Sequence, residues 1–218
     1  MAKKSYAVCG LGAFGSRLAE ELTQAGHSVL ACDVNPSKVN VMRDKVIQAV
    51  IADVSDVESV KELDISKFDA VILSMSKFFE KQILALTLLK QEGAKRVLAK
   101  ASSDIQERIL YRLGADEVIR PEQEIAQRLC RRLSLDNISD IFEFKGGAIA
   151  EVVVPGSMNG KTLMELDLRG RYSITVLLIN KPAQPGEKTP GPHTVLERGD
   201  LLTVFGNQNA IIELFKEK

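Results

Sequence analysis

Tyr6-Ala7-Val8-Cys9-Gly10-Leu11-Gly12-Ala13-Phe14-Gly15-Ser16-Arg17-Leu18 decides the fold. A short apolar run enters a G-x-G-x-x-G at Gly10, Gly12 and Gly15, and a helix-patterned segment follows at once. Strand, tight turn, helix is the context that a dinucleotide-binding fingerprint requires. Gly10 permits the sharp turn, Gly12 lets backbone approach a pyrophosphate, and Gly15 lets helix pack closely on strand. The unpaired N–H groups and positive dipole end of the helix attract phosphate. Leu11, Ala13 and Phe14 complete the loop and are expected to border the same ligand.

Outward from this loop, residues 16–25 read as a helix, with Leu18 and Leu22 on one face and Gly26 as its stop. Residues 27–32 read as a second strand ending at Asp33. That acid stands about 20 residues past the fingerprint, where a carboxylate accepts from both hydroxyls of an adenosine ribose and repels a 2′-phosphate. Val34 and Asn35 continue the turn, and Asn35 can also cap a helix that starts at Pro36. Residues 46–52 read as a third strand, and Ala52-Asp53 then falls beside the adenine ring. Asp53 either accepts from the adenine amino group or serves as a turn or cap before Val54-Ser55, with Ser55 capping the next helix.

Residues 70–74 form an apolar strand, as expected where both sheet faces are covered. Ser74-Met75-Ser76 then faces the crevice, with Met75 as an apolar wall. A helix over 77–92 and a strand over 96–100 follow. The Lys100 ammonium at that strand's end either meets a phosphate or stays in water. A helix over 103–113, a strand over 117–120 and a helix from Pro121 to about 133 complete the run. Glu122 can act simply by favouring that helix's N-terminus. Strands alternating with helices predict an α/β fold, a doubly wound parallel (Rossmann-type) sheet in the order 3-2-1-4-5-6. The ligand crevice then lies at the carboxyl ends of strands one, two and four.

This domain is assigned residues 1–135, a connector 136–149, and a second, small α+β C-terminal domain 150–218. The second domain reads as a strand at 150–154, a short helix at 162–168 and a strand at 173–180. A proline-rich exposed loop at 182–192, a strand at 201–205 and a terminal helix at 207–218 complete it. A module of about 70 residues has a thin core, so homodimerisation is expected.

The 29 basic residues equal the 29 acidic ones, which argues against nucleic acid as a main partner. No apolar stretch approaches the roughly 20 residues needed to span a bilayer. Lys3 and Lys4 precede only a strand-length apolar run, so no signal peptide is read. Cys9, Cys32 and Cys130 lack metal spacing, and the first two sit on apolar strands, so reduced thiols in a cytoplasm are expected. The two histidines, His27 and His193, lie away from the expected crevice, and no proton donor faces it. A nucleotide sensor therefore fits better than an enzyme. The alternatives are a small NAD-dependent oxidoreductase and a DNA-binding redox regulator, for which no basic helix-turn-helix is found.

Three stretches together resemble a known family: the 7–15 fingerprint, Leu30-Ala31-Cys32-Asp33-Val34-Asn35, and Gly114-Ala115-Asp116-Glu117-Val118-Ile119-Arg120-Pro121-Glu122. Glu165-Leu166-Asp167-Leu168-Arg169 and residues 196–206 extend the resemblance over the whole chain. The family is that of cytoplasmic regulatory subunits of Ktr/Trk-type potassium uptake systems, built from RCK (regulator of potassium conductance) domains.

The resemblance implies a homodimer that assembles to a ring, commonly an octamer, beneath an integral membrane potassium-translocating subunit. Residues 136–149 would be the dimer crossover. ATP, ADP or NAD(H) in the crevice would gate potassium flow, with the protein peripheral on the inner face of the cell membrane. It also implies that Lys100 contacts phosphates and that Glu122 helps hold a divalent or sodium ion at the dimer interface. Cyclic di-AMP would bind between two C-terminal modules, with Arg169 toward its phosphates. One departure is that many ATP-gated members carry arginine where this chain has Ala13. Arg17, one turn on, is a substitute or a solvated helix residue, so NAD gains weight as the ligand.

Overall fold

The computed structural model describes residues 2–135, 137–182 and 184–216. They fall into two compact units, residues 1–122 and 123–218. In the first unit, β1 (Ser5–Cys9), α1 (Ala13–Gln24), β2 (Ser28–Asp33), α2 (Pro36–Met42), β3 (Gln48–Ile51) and α3 (Val57–Glu62) come first. Then follow β4 (Ala70–Leu73), α4 (Phe79–Gln91), β5 (Val97–Lys100), α5 (Asp104–Arg112) and β6 (Glu117–Ile119). The six strands form one sheet in the order β3-β2-β1-β4-β5-β6, all pairs parallel, as the sequence predicts.

Strand periodicity divides the core in two. Ala7 and Cys9 of β1, Leu30 and Cys32 of β2, and Val71 and Leu73 of β4 point to one face, where they meet Leu86, Leu89 and Leu110. Val8, Val29, Ala31 and Ile72 point to the other and pack on Ala19, Val39 and Met42. Alternate side chains leave a strand on opposite faces. A strand covered on both sides must therefore be apolar throughout.

Two starts differ from expectation. Helix α1 begins at Ala13 rather than at residue 16, because Gly12 itself occupies the cap position. Helix α3 is capped by Asp56, whose carboxylate accepts from the Ser59 N–H, and not by Ser55. The Ser55 N–H and hydroxyl instead donate to Asp53.

The second unit holds most of α6 (Pro121–Ser134), then β7 (Ile138–Phe144), β8 (Gly147–Val153), α7 (Leu163–Leu166) and α8 (Leu168–Tyr172). It closes with β9 (Thr175–Lys181), β10 (Gln184–Lys188), β11 (Leu201–Gly206) and α9 (Gln208–Phe215). Its antiparallel sheet runs β10-β9-β11-β8-β7. Ile211 and Phe215 of α9 are fully buried with Ala148, Ala150, Val152, Leu202 and Val204.

Residues read as a connector at 136–149 contain β7 and the start of β8, an antiparallel hairpin. Asp136, where that connector begins, lies outside the described residues, as do Met1, Ala183 and residues 217–218. The proline-rich loop also departs from expectation, because the backbone at Gln184–Lys188 pairs irregularly with β9 as an edge strand. Proline lacks a ladder donor, so an edge is where the sheet tolerates it.

Candidate functional site: the glycine crevice

The glycine turn is built by close contact. Gly10 has φ +98°, and a Cβ there would lie 2.7 Å from the Ser74 carbonyl oxygen. A Cβ on Gly15 would lie 2.0 Å from the carbonyl oxygen of Gly10. The two positions clamp α1 onto the turn and the turn onto the end of β4. Gly12 is different, because nothing stands within 4 Å of a Cβ built there. It is exposed, with Ala13 beside it, and leads into the free N–H groups of α1. Backbone at Gly12 is thus open to a ligand.

Asp33 ends β2 and is buried. Its Oδ2 accepts from the Leu11 N–H at 2.7 Å and from Lys38 Nζ at 3.0 Å. Its Oδ1 accepts from the Asn35 N–H at 2.9 Å. Burial pushes the Asp33 pKa up, but the donors from Asn35, Leu11 and Lys38 outweigh it and hold the carboxyl below its ordinary value. Asp33 therefore locks the glycine loop from the carboxyl end of β2. Asn35 caps α2 by accepting from the Ser37 N–H, while Val34 is exposed.

Asp53 is committed to protein partners too. Besides Ser55, Lys81 Nζ reaches its Oδ2 at 2.7 Å. Burial raises its pKa, while Lys81 and Ser55 lower it further, so it stays an anion. The turn role is thus observed for Asp53. Ala52 donates its N–H to the Asp33 carbonyl, linking the two strand ends. Ser74 donates its N–H to the Cys9 carbonyl at 2.7 Å, and Met75 packs against the core.

Lys100 ends β5 with a largely buried side chain. Its ammonium pairs with Glu122 and lies 5.7 Å from the centre of the Phe14 ring. The hydrogen bond from Lys100 lowers the Glu122 pKa, against a smaller effect of burial. The structure thus brings Lys100, Glu122 and the first turn of α1 together. Arg17 points elsewhere, held by Glu21 and Glu20 of its own helix. Arg169 is exposed on α8 in the second unit. Cys9 and Cys32 are buried, and Cys130 is exposed.

Three contributors escaped the sequence reading: Lys38, Lys81 and Gln82. Lys38 had a signal, since it stands one helical turn past the cap. Gln82 had another, a polar residue at a core position of α4 beside Ala85, Leu86 and Leu89.

The TrkA-N domain family matches residues 6–121, and the TrkA-C domain family matches residues 149–218. Ktr system potassium uptake protein C of Bacillus subtilis is 32% identical over 94% of this chain and 93% of its own length. Ktr system potassium uptake protein A of Vibrio alginolyticus is 34% identical over 98% of this chain and 97% of its own. The chain belongs to the Ktr/Trk family of RCK proteins.

The RCK fold is seen again in the GsuK RCK domain, at a TM-score of 0.66 and 18% identity. That match covers 99% of this RCK chain and 48% of the GsuK RCK-domain chain, so this chain spans about half the length of that domain chain. A GsuK channel has also been solved bound to NAD. Among the described residues of this RCK protein, no helix is long and apolar enough to cross a membrane. Nor do any three His, Cys, Asp or Glu among them cluster as a metal site.

Proposed function

We propose that this RCK protein is the nucleotide-sensing regulatory subunit of a potassium uptake system. The carrying observation is the crevice. Exposed backbone at Gly12 meets a free helix N-terminus, with the buried anion Asp33 on one side and the cation Lys100 on the other. That arrangement suits a pyrophosphate with its adenosine ribose, and the Ktr relatives supply the context of potassium uptake.

In this reading Gly10 to Gly15 hold the phosphates, Asp33 takes a ribose hydroxyl, and Val34, Asn35, Ala52 and Asp53 border the adenine. Ser74 and Met75 wall the crevice, and Lys100 meets phosphate after release from Glu122. Ala13 has no group for a third phosphate and Arg17 is engaged elsewhere, which supports NAD or ADP over ATP. Homodimers assemble to an octameric ring on the cytoplasmic side of a membrane pore protein. Glu122 helps hold a divalent or sodium ion at the dimer interface, and Arg169 faces cyclic di-AMP between two C-terminal modules. Gating follows only if the ligand binds two ring shapes unequally, since equal affinity shifts nothing.

Calorimetric titration with ATP, ADP, NAD and NADH tests the reading. Saturable binding of at least one, without turnover of NADH, supports it. Binding of none of the four overturns it.

A further inference from the structure

Gln82 is fully buried on α4, among apolar neighbours. Its Nε2 donates to the Lys100 carbonyl at 2.9 Å and reaches the Leu73 carbonyl at 3.4 Å. Those residues end β5 and β4. The β4–β5 ladder runs from Val71 paired with Val97 to Leu73 paired with Ala99, and stops there. The Gln82 amide continues the connection where the ladder ends. The amide is costly, because its Oε1 has no partner, alone among the buried side-chain polar atoms of the described residues. An unpaired buried acceptor is destabilising, and a methionine of similar length would avoid it. The amide's contribution therefore has to lie in the two strand ends it joins.

One end carries Lys100 and the other leads to Ser74-Met75, against which Gly10 packs. We propose that Gln82 is a positioning residue of the nucleotide site, fixing the β5 end so that the Lys100 ammonium stands at the first turn of α1. It touches no ligand itself and acts through Lys100. This inference rests on the nucleotide reading above.

Calorimetry with ADP, NAD and adenosine on wild type, Gln82→Met, Lys100→Met and the double variant tests it, with Gln82→Leu as a second apolar replacement. Gln82→Met is expected to weaken the phosphate-bearing ligands by about tenfold and to leave adenosine within about twofold. In the Lys100→Met background the Gln82 substitution should cost nothing further, as for residues acting through one contact. Equal losses for adenosine and the phosphate-bearing ligands, additive losses in the double variant, or no loss would each overturn the inference while leaving the nucleotide reading standing. A wild type that binds neither ADP nor NAD overturns the inference, and one that also binds neither ATP nor NADH overturns the nucleotide reading with it.

Discussion

Gly12 and Gly15 belong to one motif, yet replacing each by alanine should have opposite consequences. At Gly15 the new methyl would sit 2.0 Å from the Gly10 carbonyl oxygen and 3.2 Å from Ser74 Cβ. The oxygen is backbone, held because the Gly10 N–H donates to the Cys32 carbonyl at 2.8 Å and Gly10 abuts Ser74. It cannot step aside as a flexible side chain would. Overpacking of a tight site costs about 1–3 kcal/mol, and contact with fixed backbone puts Gly15→Ala at the upper end or beyond. For a unit of this size that lowers the melting temperature by roughly 10 °C. At Gly12 the methyl meets nothing within 4 Å, and φ is −77°. Only the poorer capping of alanine remains, under about 1 kcal/mol. The methyl would occupy the space left for a phosphate, so ADP or NAD should bind about tenfold more weakly or worse. Urea unfolding and calorimetry on both variants separate the two effects. A Gly15→Ala protein as stable as wild type, or a Gly12→Ala protein with unchanged affinity, would refute the reasoning.

Asp33→Ala should weaken ADP or NAD binding more than Asp53→Ala does, as read by titration calorimetry; equal affinities for wild type and Asp33→Ala would sink the ribose assignment. The same substitution leaves the buried Leu11 N–H without its acceptor and should cost about 1–3 kcal/mol in urea unfolding of the ligand-free protein. Because the Asp33 pKa is lowered in the folded state, its stabilisation is complete above the ordinary carboxylate value and is lost as pH falls through the lowered one. Urea midpoints from pH 7 to pH 3 should therefore fall less steeply for Asp33→Ala than for wild type. Lys38→Met frees a position on Asp33 Oδ2, and since the half-exposed Lys38 ammonium is screened by solvent, its pull on the buried carboxylate is about 1 kcal/mol and ribose-bearing ligands should bind up to about fivefold more tightly. Weaker binding would show that Lys38 itself meets the ligand.

The sheet was legible because its signals are local: apolar runs, glycine stops and caps recur within a few residues. Strand β7 was not. Its pairing with β8 shifts register between Ile138 and Asp140, and Phe142 and Phe144 stay exposed. The period of two is broken, so Ile138–Phe144 reads as a connector. Prolines hid β10 in the same way. At the site, Gly10, Gly12 and Gly15 lie in one short run and Asp33 ends the next strand, so a local reading reaches both. Lys81 meets Asp53 across 28 residues of chain and Gln82 meets Lys100 across 18, so only the folded sheet brings them together.

Asp33 then carries a different meaning from the one its motif suggests. An ionised carboxylate has about four acceptor positions. Three are occupied without ligand, by the N–H groups of Leu11 and Asn35 and by Lys38. In the proposed nucleotide reading, a ribose hydroxyl takes the last one or displaces Lys38, since the two N–H donors are fixed in backbone. Ligand-binding and loop-holding would then share one anion. Displacing Lys38 breaks a side-chain tie between α2 and Asp33, while the Leu11 N–H ties the same carboxylate to the glycine turn. A ligand can bias two states only by as much as its contacts differ between them. The exchange at Asp33 is where such a difference has side chains and backbone to act on.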